Sequence, residues 1–183
     1  MAAGRSSRFG STKQLIEISG EPMVRRAAAL ARDVCGERVI TVIGHDCGKV
    51  LDALGSDAGF VVVNDDYHRG LSGSIARGVR ACAKDADAIL LHLADQPLVT
   101  TVHLQALVDA WSGGDDEIVA TAFDDTQGPP VLFPRGAFDD LQVLTGDNGA
   151  RALLRDSRFN VRTVRFEPAA LDIDEPGDLA TLS

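Results

Sequence analysis

The chain has 183 residues, a formal net charge of −9 and 45% hydrophobic residues. This length predicts a single domain with a substantial core, and the acidic charge argues against nonspecific binding to nucleic acid or to an anionic membrane. Three cysteines without Cys-x-x-Cys spacing and four histidines without a His-Glu-x-x-His pattern argue against disulfides and a structural zinc site. Without an apolar run near the ~18 residues of a membrane span, or a secretory leader, the chain is expected to be cytoplasmic.

The chain begins with MAAGRSSRFGSTKQL, a loop rich in glycine, serine and basic residues. Its backbone amides and the cations Arg5, Arg8 and Lys13 could hold a polyphosphate. The spacing matches neither a Walker A loop nor the dinucleotide fingerprint G-x-G-x-x-G. Composition alone leaves open a solvated, basic N-terminal tail.

The following residues alternate between helix-like and strand-like stretches. Apolar spacing near the helical period predicts four helices, at residues 23–34, 46–55, 73–84 and 101–111. Nearly continuous apolar and largely β-branched runs predict four strands, at residues 38–44, 60–64, 88–94 and 117–123. This alternation predicts βαβ units and a mainly parallel sheet.

After residue 123 the alternation ends. Three prolines in residues 128–138 predict an edge strand or an excursion from the sheet. Residues 144–156 are interpreted as a loop leading into a helix, 161–167 as a strand and 174–182 as a closing helix. Because no linker separates these elements, residues 1–183 are predicted to form one three-layer α/β domain.

Acidic residues stand at two positions suited to a metal ion. Asp95 directly follows a predicted strand, and ligands of open α/β sheets lie beyond the carboxyl ends of the strands. Asp172 and Asp174 alternate as D-x-D and would lie on one face of an extended segment. The alternatives are a turn cap for Asp95 and a helix N-cap for Asp174.

Three other polar positions have two interpretations each. Ser72 and Ser74 could contact a phosphate or a base, or could cap the helix that begins there. Asp147 is a candidate N-cap, and Arg151 could reach an anionic substrate. His92 lies in an apolar run and is interpreted as a hydrogen-bonded core histidine.

In chain order, several of these segments resemble one family over nearly the whole chain. AAGRSSRFGSTK, GLSGSI, LADQPL, GPPVLF, GDNGAR and DIDEPGDL are similar to the MobA-like nucleotidyltransferases, and most similar to their molybdenum cofactor cytidylyltransferase (MocA-like) branch. The resemblance implies a three-layer Rossmann-like nucleotidyltransferase fold with a mostly parallel sheet and a truncated first strand. It also implies Mg²⁺-dependent transfer of CMP from CTP to the terminal phosphate of molybdopterin, with release of pyrophosphate. A molybdoenzyme or its cofactor-insertion chaperone is a further expected partner.

The resemblance implies a role for each matching position. Arg8, Lys13 and Asp95 would be catalytic, Asp95 and Asp174 would bind the metal, and Asp172 is left open. Twelve positions would bind the nucleotide: Ala2, Ala3, Gly4, Arg5, Ser7, Arg8, Gly10, Lys13, Leu71, Ser72, Ser74 and Asp95. Five positions would face the pterin substrate: Pro129, Pro130, Gly146, Asp147 and Arg151.

The choice of base and acceptor leaves alternatives. Ala3 stands where guanylyl-transferring relatives tend to have glycine, and its methyl group would favour a pyrimidine by only about 1–3 kcal/mol, so GTP remains an alternative to CTP. Pro129 replaces the usual histidine of G-H-P, which keeps open another phosphorylated acceptor or a non-catalytic cofactor-binding module. A nicotinamide-dependent oxidoreductase is disfavoured because the dinucleotide fingerprint is missing.

The position of the Gly-rich loop leads to one more expectation. The resemblance implies a hydrophobic strand before Ala2-Ala3-Gly4, and only Met1 stands there. Met1 is therefore expected to be either a late start assignment or the beginning of a truncated chain. An apolar strand added upstream is expected to raise stability and nucleotide affinity, because the neighbouring strands would otherwise have unpaired backbone groups.

Overall fold

The computed structural model describes residues 1–6, 9–146 and 149–182. The α-helices are α1 (Met23–Cys35), α2 (Cys47–Leu54), α3 (Leu71–Cys82), α4 (Thr101–Ala110) and α5 (Phe138–Gln142). The strands are β1 (Glu17–Ile18), β2 (Glu21–Pro22), β3 (Ile40–Ile43), β4 (Phe60–Val63), β5 (Ala88–Leu91), β6 (Glu117–Phe123), β7 (Thr126–Pro134) and β8 (Asn160–Arg165). Short 3₁₀ helices cover Lys13–Leu15, Gly55–Ala58, Tyr67–Arg69, Arg135–Ala137, Gly149–Arg155, Glu167–Ala170 and Pro176–Leu182.

The strands beyond the β1–β2 hairpin form two parts that residues 1–3 connect. One part is the parallel pair β3–β4, and the other has the order β5-β7-β6-β8. Ala2 donates its backbone N–H to the carbonyl oxygen of Val42 at 2.8 Å, which pairs it in parallel with β3. On the other side Ala94 donates its N–H to the carbonyl oxygen of Met1 at 3.0 Å. Residues 1–3 therefore lie between β3 and β5 and make the sheet continuous at this end.

The predicted mostly parallel sheet is confirmed, with β7 as its antiparallel member. β7 pairs antiparallel with both β5 and β6, whereas β6 pairs in parallel with β8. The prediction that residues 128–138 form an edge strand or leave the sheet was wrong, because β7 lies inside it. A register shift between Ala120 and Thr121 leaves Pro129 and Pro130 outside the regular pairing. Proline has no backbone N–H, so such an irregularity is where an interior strand can accept it.

Helices cover both faces of the sheet. On one face Ile118, Ala120 and Phe133 pack in a cluster with residues of α3 and α5. On the other face the intervening residues Val119 and Leu132 pack with Leu107 of α4. This alternation follows from the two-residue period of a strand, and it gives the predicted three-layer α/β arrangement.

Two predicted C-terminal helices are 3₁₀ helices. The helix predicted within residues 144–156 is Gly149–Arg155, and the closing helix predicted at 174–182 is Pro176–Leu182. Asp178 fixes the start of the second one, because its Oδ2 accepts hydrogen bonds from the backbone N–H groups of Asp174 and Glu175, both at 2.8 Å. The carboxylate of Asp174 accepts a hydrogen bond from the side chain of Lys13 at 2.8 Å.

Candidate active site

Three segments that are far apart in the sequence meet where β5 ends. The first is the Gly-rich loop, which follows residues 1–3. The second is Asp95, four residues beyond the end of β5. The third is the segment 172–174, which is held beside Asp95 because Ile173 donates its backbone N–H to the carbonyl oxygen of Asp95 at 2.9 Å. Ile173 is completely buried and anchors this segment.

The side chain of Lys13 connects the three segments. Its Nζ lies 2.7 Å from Oδ2 of Asp95 and 2.8 Å from Oδ1 of Asp174. The lysine side chain is only 11% exposed. Its burial alone would lower the pKa of Lys13, but the charges and hydrogen bonds of Asp95 and Asp174 outweigh that effect and raise the pKa. Lys13 is therefore a fixed cation at the centre of the site.

Asp172 adds a third carboxyl group next to Lys13, Asp95 and Asp174. Its pKa is raised to about 6, first because its carboxyl group is partly withdrawn from water and then because the charges of Asp95 and Asp174 repel a further negative charge. Lys13 and the side chain of Gln96 act in the opposite direction. Three carboxyl groups around one ammonium group leave an excess of negative charge, which favours a further cation.

The donor set fits a hard divalent cation that is shared with a substrate. Within residues 1–6, 9–146 and 149–182, no group of three or more histidine, cysteine, aspartate or glutamate side chains forms a metal-binding cluster. However, Mg²⁺ is commonly bound by one or two carboxylates, with phosphate oxygens and water completing its coordination. Asp95 and Asp174 supply two carboxylates that already converge on one point, the Nζ of Lys13.

The Gly-rich loop is held in shape by hydrogen bonds within it. Gln14, which is 4% exposed, donates its Nε2–H to the carbonyl oxygen of Gly4 at 2.9 Å and so connects the two ends of the loop. The hydroxyl of Ser6 accepts the backbone N–H of Lys13 at 3.3 Å. Ser6 and Gly10 have positive φ angles of 54° and 76°, and glycine takes such an angle without strain.

A cavity of about 670 Å³ lies between this loop and the start of α2. The loop contributes Arg5, Ser6, Gly10, Ser11 and Thr12 to its lining, and the turn before α2 and the helix itself contribute His45, Asp46 and Lys49. Thr12 and Asp46 are in direct contact, because the Thr12 hydroxyl donates to Oδ2 of Asp46 at 2.5 Å. Sequence reasoning missed this contact, since nothing in the motif relates residue 12 to residue 46.

The predicted nucleotide-binding residues outside the loop are largely buried. Ala2 and Ala3 are 4% and 5% exposed, so only a small part of either residue is open to a ligand. Ser72 and Ser74 are also buried at the start of α3, whose N-cap position is taken by Gly70. Ser74 accepts a hydrogen bond from Nδ2 of Asn64 at 2.8 Å, whereas Oγ of Ser72 has no partner among the described residues.

Two of the predicted substrate-facing positions are connected to this site by hydrogen bonds. The buried side chain of Gln96 donates its Nε2–H to the carbonyl oxygens of Pro129 and Ala169, both at 3.0 Å. It thereby connects the proline segment of β7 to the residues that lead to Asp172. The carbonyl oxygen of Gly146 accepts the backbone N–H of Ser72 at 3.4 Å.

The remaining candidates divide into two groups. Pro130 is buried within β7, and Arg151 is exposed. Ser7, Arg8 and Asp147 lie outside the described residues, so their assigned roles stay predictions.

His92 lies in the core, as expected, and its predicted hydrogen bond has no partner among the described residues. It is 8% exposed, and neither of its ring nitrogens has a partner within the described part of the chain. Burial is the main cause that lowers its pKa to about 3. A neutral imidazole in this place contributes packing to the core.

Among residues 1–6, 9–146 and 149–182, no helix is long and apolar enough to cross a membrane.

Among relatives, the chain is 29% identical to the purine catabolism protein PucB of Bacillus subtilis, over 96% of this chain and 88% of PucB. It is also 29% identical to the bifunctional protein GlmU of Trichlorobacter lovleyi, over 58% of this chain but only 24% of GlmU.

Solved structures of similar proteins superpose on nearly the full length of this chain. Rv0371c of Mycobacterium tuberculosis superposes with a TM-score of 0.86 at 30% identity, covering 99% of this chain and 94% of Rv0371c. A manganese complex of Rv0371c superposes with a TM-score of 0.82 at 28% identity, covering 98% of this chain and 93% of that one. The MobA-like NTP transferase domain matches residues 1–163. The chain therefore belongs to the MobA-like NTP transferase domain family and is a nucleotidyltransferase.

Proposed function

We propose that the protein transfers CMP from CTP to the terminal phosphate of molybdopterin and releases pyrophosphate. The observation that carries this proposal is the contact of Lys13 with both Asp95 and Asp174 at the end of the Gly-rich loop. It places a fixed cation and two candidate metal ligands at one point, as transfer between phosphates requires.

In the proposed reaction a phosphate oxygen of the acceptor attacks the α-phosphorus of CTP. A new P–O bond forms to the acceptor, and the bond from the α-phosphorus to the bridging oxygen of pyrophosphate breaks. No covalent enzyme intermediate is required, so the chain has to align the two substrates and stabilise the developing negative charge. Lys13 would stabilise this charge, and the backbone of residues 2–4 and the Gly-rich loop would orient the nucleotide.

Asp95 and Asp174 would hold a divalent cation, for which Mg²⁺ is proposed. When bound, such an ion neutralises charge on the phosphate oxygens of the nucleotide. The manganese complex of Rv0371c supports the use of a divalent metal in a similar protein. The excess of carboxylates over cations among Lys13, Asp95, Asp172 and Asp174 points in the same direction.

The cavity along the loop would accept the phosphates of the nucleotide. Arg5 and Lys49 supply positive charge to its lining, and Ser6 and Ser11 supply hydroxyl donors. The base would lie beside residues 2–4 and the start of α3. The methyl group of Ala3 is the reason for proposing CTP over GTP, and the predicted contact of Pro129 and Gly146 with the pterin remains part of this proposal.

The first prediction concerns the nucleotide and the acceptor. Purified protein incubated with Mg²⁺, molybdopterin and either CTP or GTP should release pyrophosphate faster with CTP. Asp95→Ala should reduce turnover by at least about a hundredfold while its circular dichroism spectrum stays native, because it removes a metal ligand and leaves the ammonium group of Lys13 in place. Pyrophosphate release is measured with a coupled enzymatic assay.

Each alternative has its own result in this assay. Faster release with GTP would replace the cytidylyl assignment by a guanylyl one. Release with CTP and a sugar phosphate, but not with molybdopterin, would identify another acceptor. Tight nucleotide binding without any turnover would indicate a non-catalytic module, and full activity of Asp95→Ala would remove the metal assignment.

A further inference from the structure

Asp46 has an unusual backbone conformation at the start of α2. It occupies the N-cap position of this helix, where an aspartate side chain ordinarily accepts the free N–H groups of the first turn. Its φ and ψ angles of 50° and 36° are instead those of the left-handed region, and its carboxylate forms no cap hydrogen bond. A residue other than glycine in this conformation is uncommon, and such conformations are often kept for a functional reason.

The carboxylate of Asp46 points to the Gly-rich loop instead of to its own helix. Oδ2 of Asp46 accepts the Thr12 hydroxyl at 2.5 Å, although the two residues are 34 positions apart. This hydrogen bond, followed by that from Lys49, lowers the pKa of Asp46, so the carboxylate stays ionised and accepts strongly. Thr12 is 7% exposed, and its buried side chain therefore has few alternative orientations.

Thr12 directly precedes Lys13, the residue that contacts both Asp95 and Asp174. The backbone N–H of Lys13 is held by the hydroxyl of Ser6 at 3.3 Å from within the loop. The contact from Thr12 to Asp46 holds the same point from outside the loop, against α2, and the buried Val50 and Leu54 anchor that helix in the core. The backbone at Lys13 is thus linked both to Ser6 and, through Thr12, to the start of α2.

We propose that Asp46 is a positioning residue, which acts through Thr12 to hold the Gly-rich loop and aim Lys13 at the reacting phosphates. This proposal rests on the proposed function. Small displacements of a charge-stabilising group reduce the rate of a reaction strongly, because the developing charge is matched over a short distance. Loss of the contact should therefore lower kcat even when all of the protein is folded.

The test is a double-mutant cycle in the full chain, measured as pyrophosphate release with the preferred nucleotide and acceptor. Thr12→Val removes the hydroxyl and keeps the shape of the side chain, and Asp46→Ala removes the acceptor. Each should lower kcat by about tenfold, and the double variant should lose no more than either single one, because both remove the same contact. The KM for the acceptor should stay unchanged, since the predicted acceptor positions are on other segments.

Two variants serve as matched controls. Thr12→Ser keeps the hydroxyl and should retain kcat within about twofold. Asp87→Ala, a matched removal of a carboxylate just before β5, breaks an ion pair of 3.5 Å with Arg135 in which the aspartate is 87% exposed, and should also leave kcat nearly unchanged because exposed pairs contribute little. Circular dichroism and thermal unfolding verify that every variant is folded at the assay temperature.

A second readout does not depend on turnover. In protein with ¹⁵N-labelled lysine, Thr12→Val should change the NMR signal of the Lys13 ammonium group and leave that of the exposed Lys84 in place. The proposal is overturned if kcat is unchanged in Thr12→Val, if the two single effects multiply in the double variant, or if Thr12→Ser is impaired as strongly as Thr12→Val. A wild-type chain that turns over no nucleotide would instead contradict the proposed function, and the Lys13 signal would then decide on the positioning role by itself.

Discussion

Lys13 supplies local positive charge at the candidate site of a protein whose net charge is negative. A net charge of −9 repels a polyphosphate at a distance. At short range the loop contributes Arg5 and Lys13, and a divalent cation at Asp95 and Asp174 would add two further positive charges. Lys13 is neutralised by these carboxylates in the free chain, and its charge would become available to phosphate once the carboxylates were shared with the metal. The positive charge added locally would allow an acidic protein to bind an acidic substrate.

His92 is the residue whose environment makes the clearest statement about pH. Its pKa is about 3 in the folded chain, mainly because of burial, compared with about 6.5 for an unfolded histidine. The unfolded chain therefore binds a proton that the folded chain does not, and stability falls as the pH falls below about 6.5. Between pH 7 and pH 5 this amounts to about 2 kcal/mol. His92→Leu should reduce the acid-dependent loss of the free energy of unfolding by about this amount, as urea titrations at the two pH values would measure.

A matched control distinguishes this burial effect from general acid sensitivity. His68 is exposed, and His68→Gln should leave the difference in unfolding free energy between pH 7 and pH 5 as it is in the wild type. If His92→Leu and the wild type lose the same stability on acidification, the folded chain accommodates a charged imidazole and the low pKa is wrong.

The turn between β3 and α2 lies in close contact with Ala3, one of the residues proposed to bind the nucleotide. Gly44 lies in this turn, and a β-carbon added there would come within 2.7 Å of Cβ of Tyr67 and 2.8 Å of the carbonyl oxygen of Ala3. Because a backbone atom cannot move away as a side chain can, Gly44→Ala should lower the free energy of unfolding by about 1–3 kcal/mol. It should also weaken nucleotide binding by displacing Ala3, which isothermal titration calorimetry would detect.

Gly48, four residues further along, provides the same chemical change without the clash. It lies inside α2, and a β-carbon there would meet no atom within 4 Å. Gly48→Ala should raise the unfolding free energy by up to about 1 kcal/mol, because alanine favours the helix, and nucleotide affinity should stay at the wild-type value. Equal destabilisation by both substitutions would mean that Gly44 does not lie in close contact with Tyr67 and Ala3.

The elements themselves were predictable to different degrees. The helices and the apolar strands follow from local periodicity, so their positions agree with the structure within a few residues. The position of β7 in the sheet was predicted wrongly because its pairing with β5 and β6 joins residues that are far apart in the sequence. The register shift that accepts its prolines also depends on another strand, at Ala120 and Thr121. The contact between Thr12 and Asp46 has the same origin, since no local pattern connects a threonine in a loop to an aspartate before a distant helix.

At the scale of the whole molecule, the order of the sheet explains why the candidate site lies where it does. The Gly-rich loop and Asp95 follow neighbouring segments, residues 1–3 and β5, and both leave the sheet at the same edge. Three of the residues that the motifs of the resemblance single out, Lys13, Asp95 and Asp174, lie in contact with one another in the structure. The resemblance could not supply their geometry, because the position of Asp174 depends on a backbone contact between Ile173 and Asp95 that has no sequence signature.

The same sheet order gives a last prediction about the segment before the loop. Met1 and Ala2 hydrogen-bond to Val42 on one side and to His92 and Ala94 on the other, so a chain extended before Met1 would enter between β3 and β5. An added Val-Ile-Val-Val should pair with both strands and raise the thermal midpoint by several degrees, and firmer support of the loop should tighten CTP binding. An added Gly-Ser-Gly-Ser of equal length controls for chain extension itself, because it offers no apolar side chains to either face. Differential scanning calorimetry and CTP titration decide the outcome: if the two extensions behave alike, the strands on either side do not need a longer partner, and residues 1–3 are sufficient support for the loop.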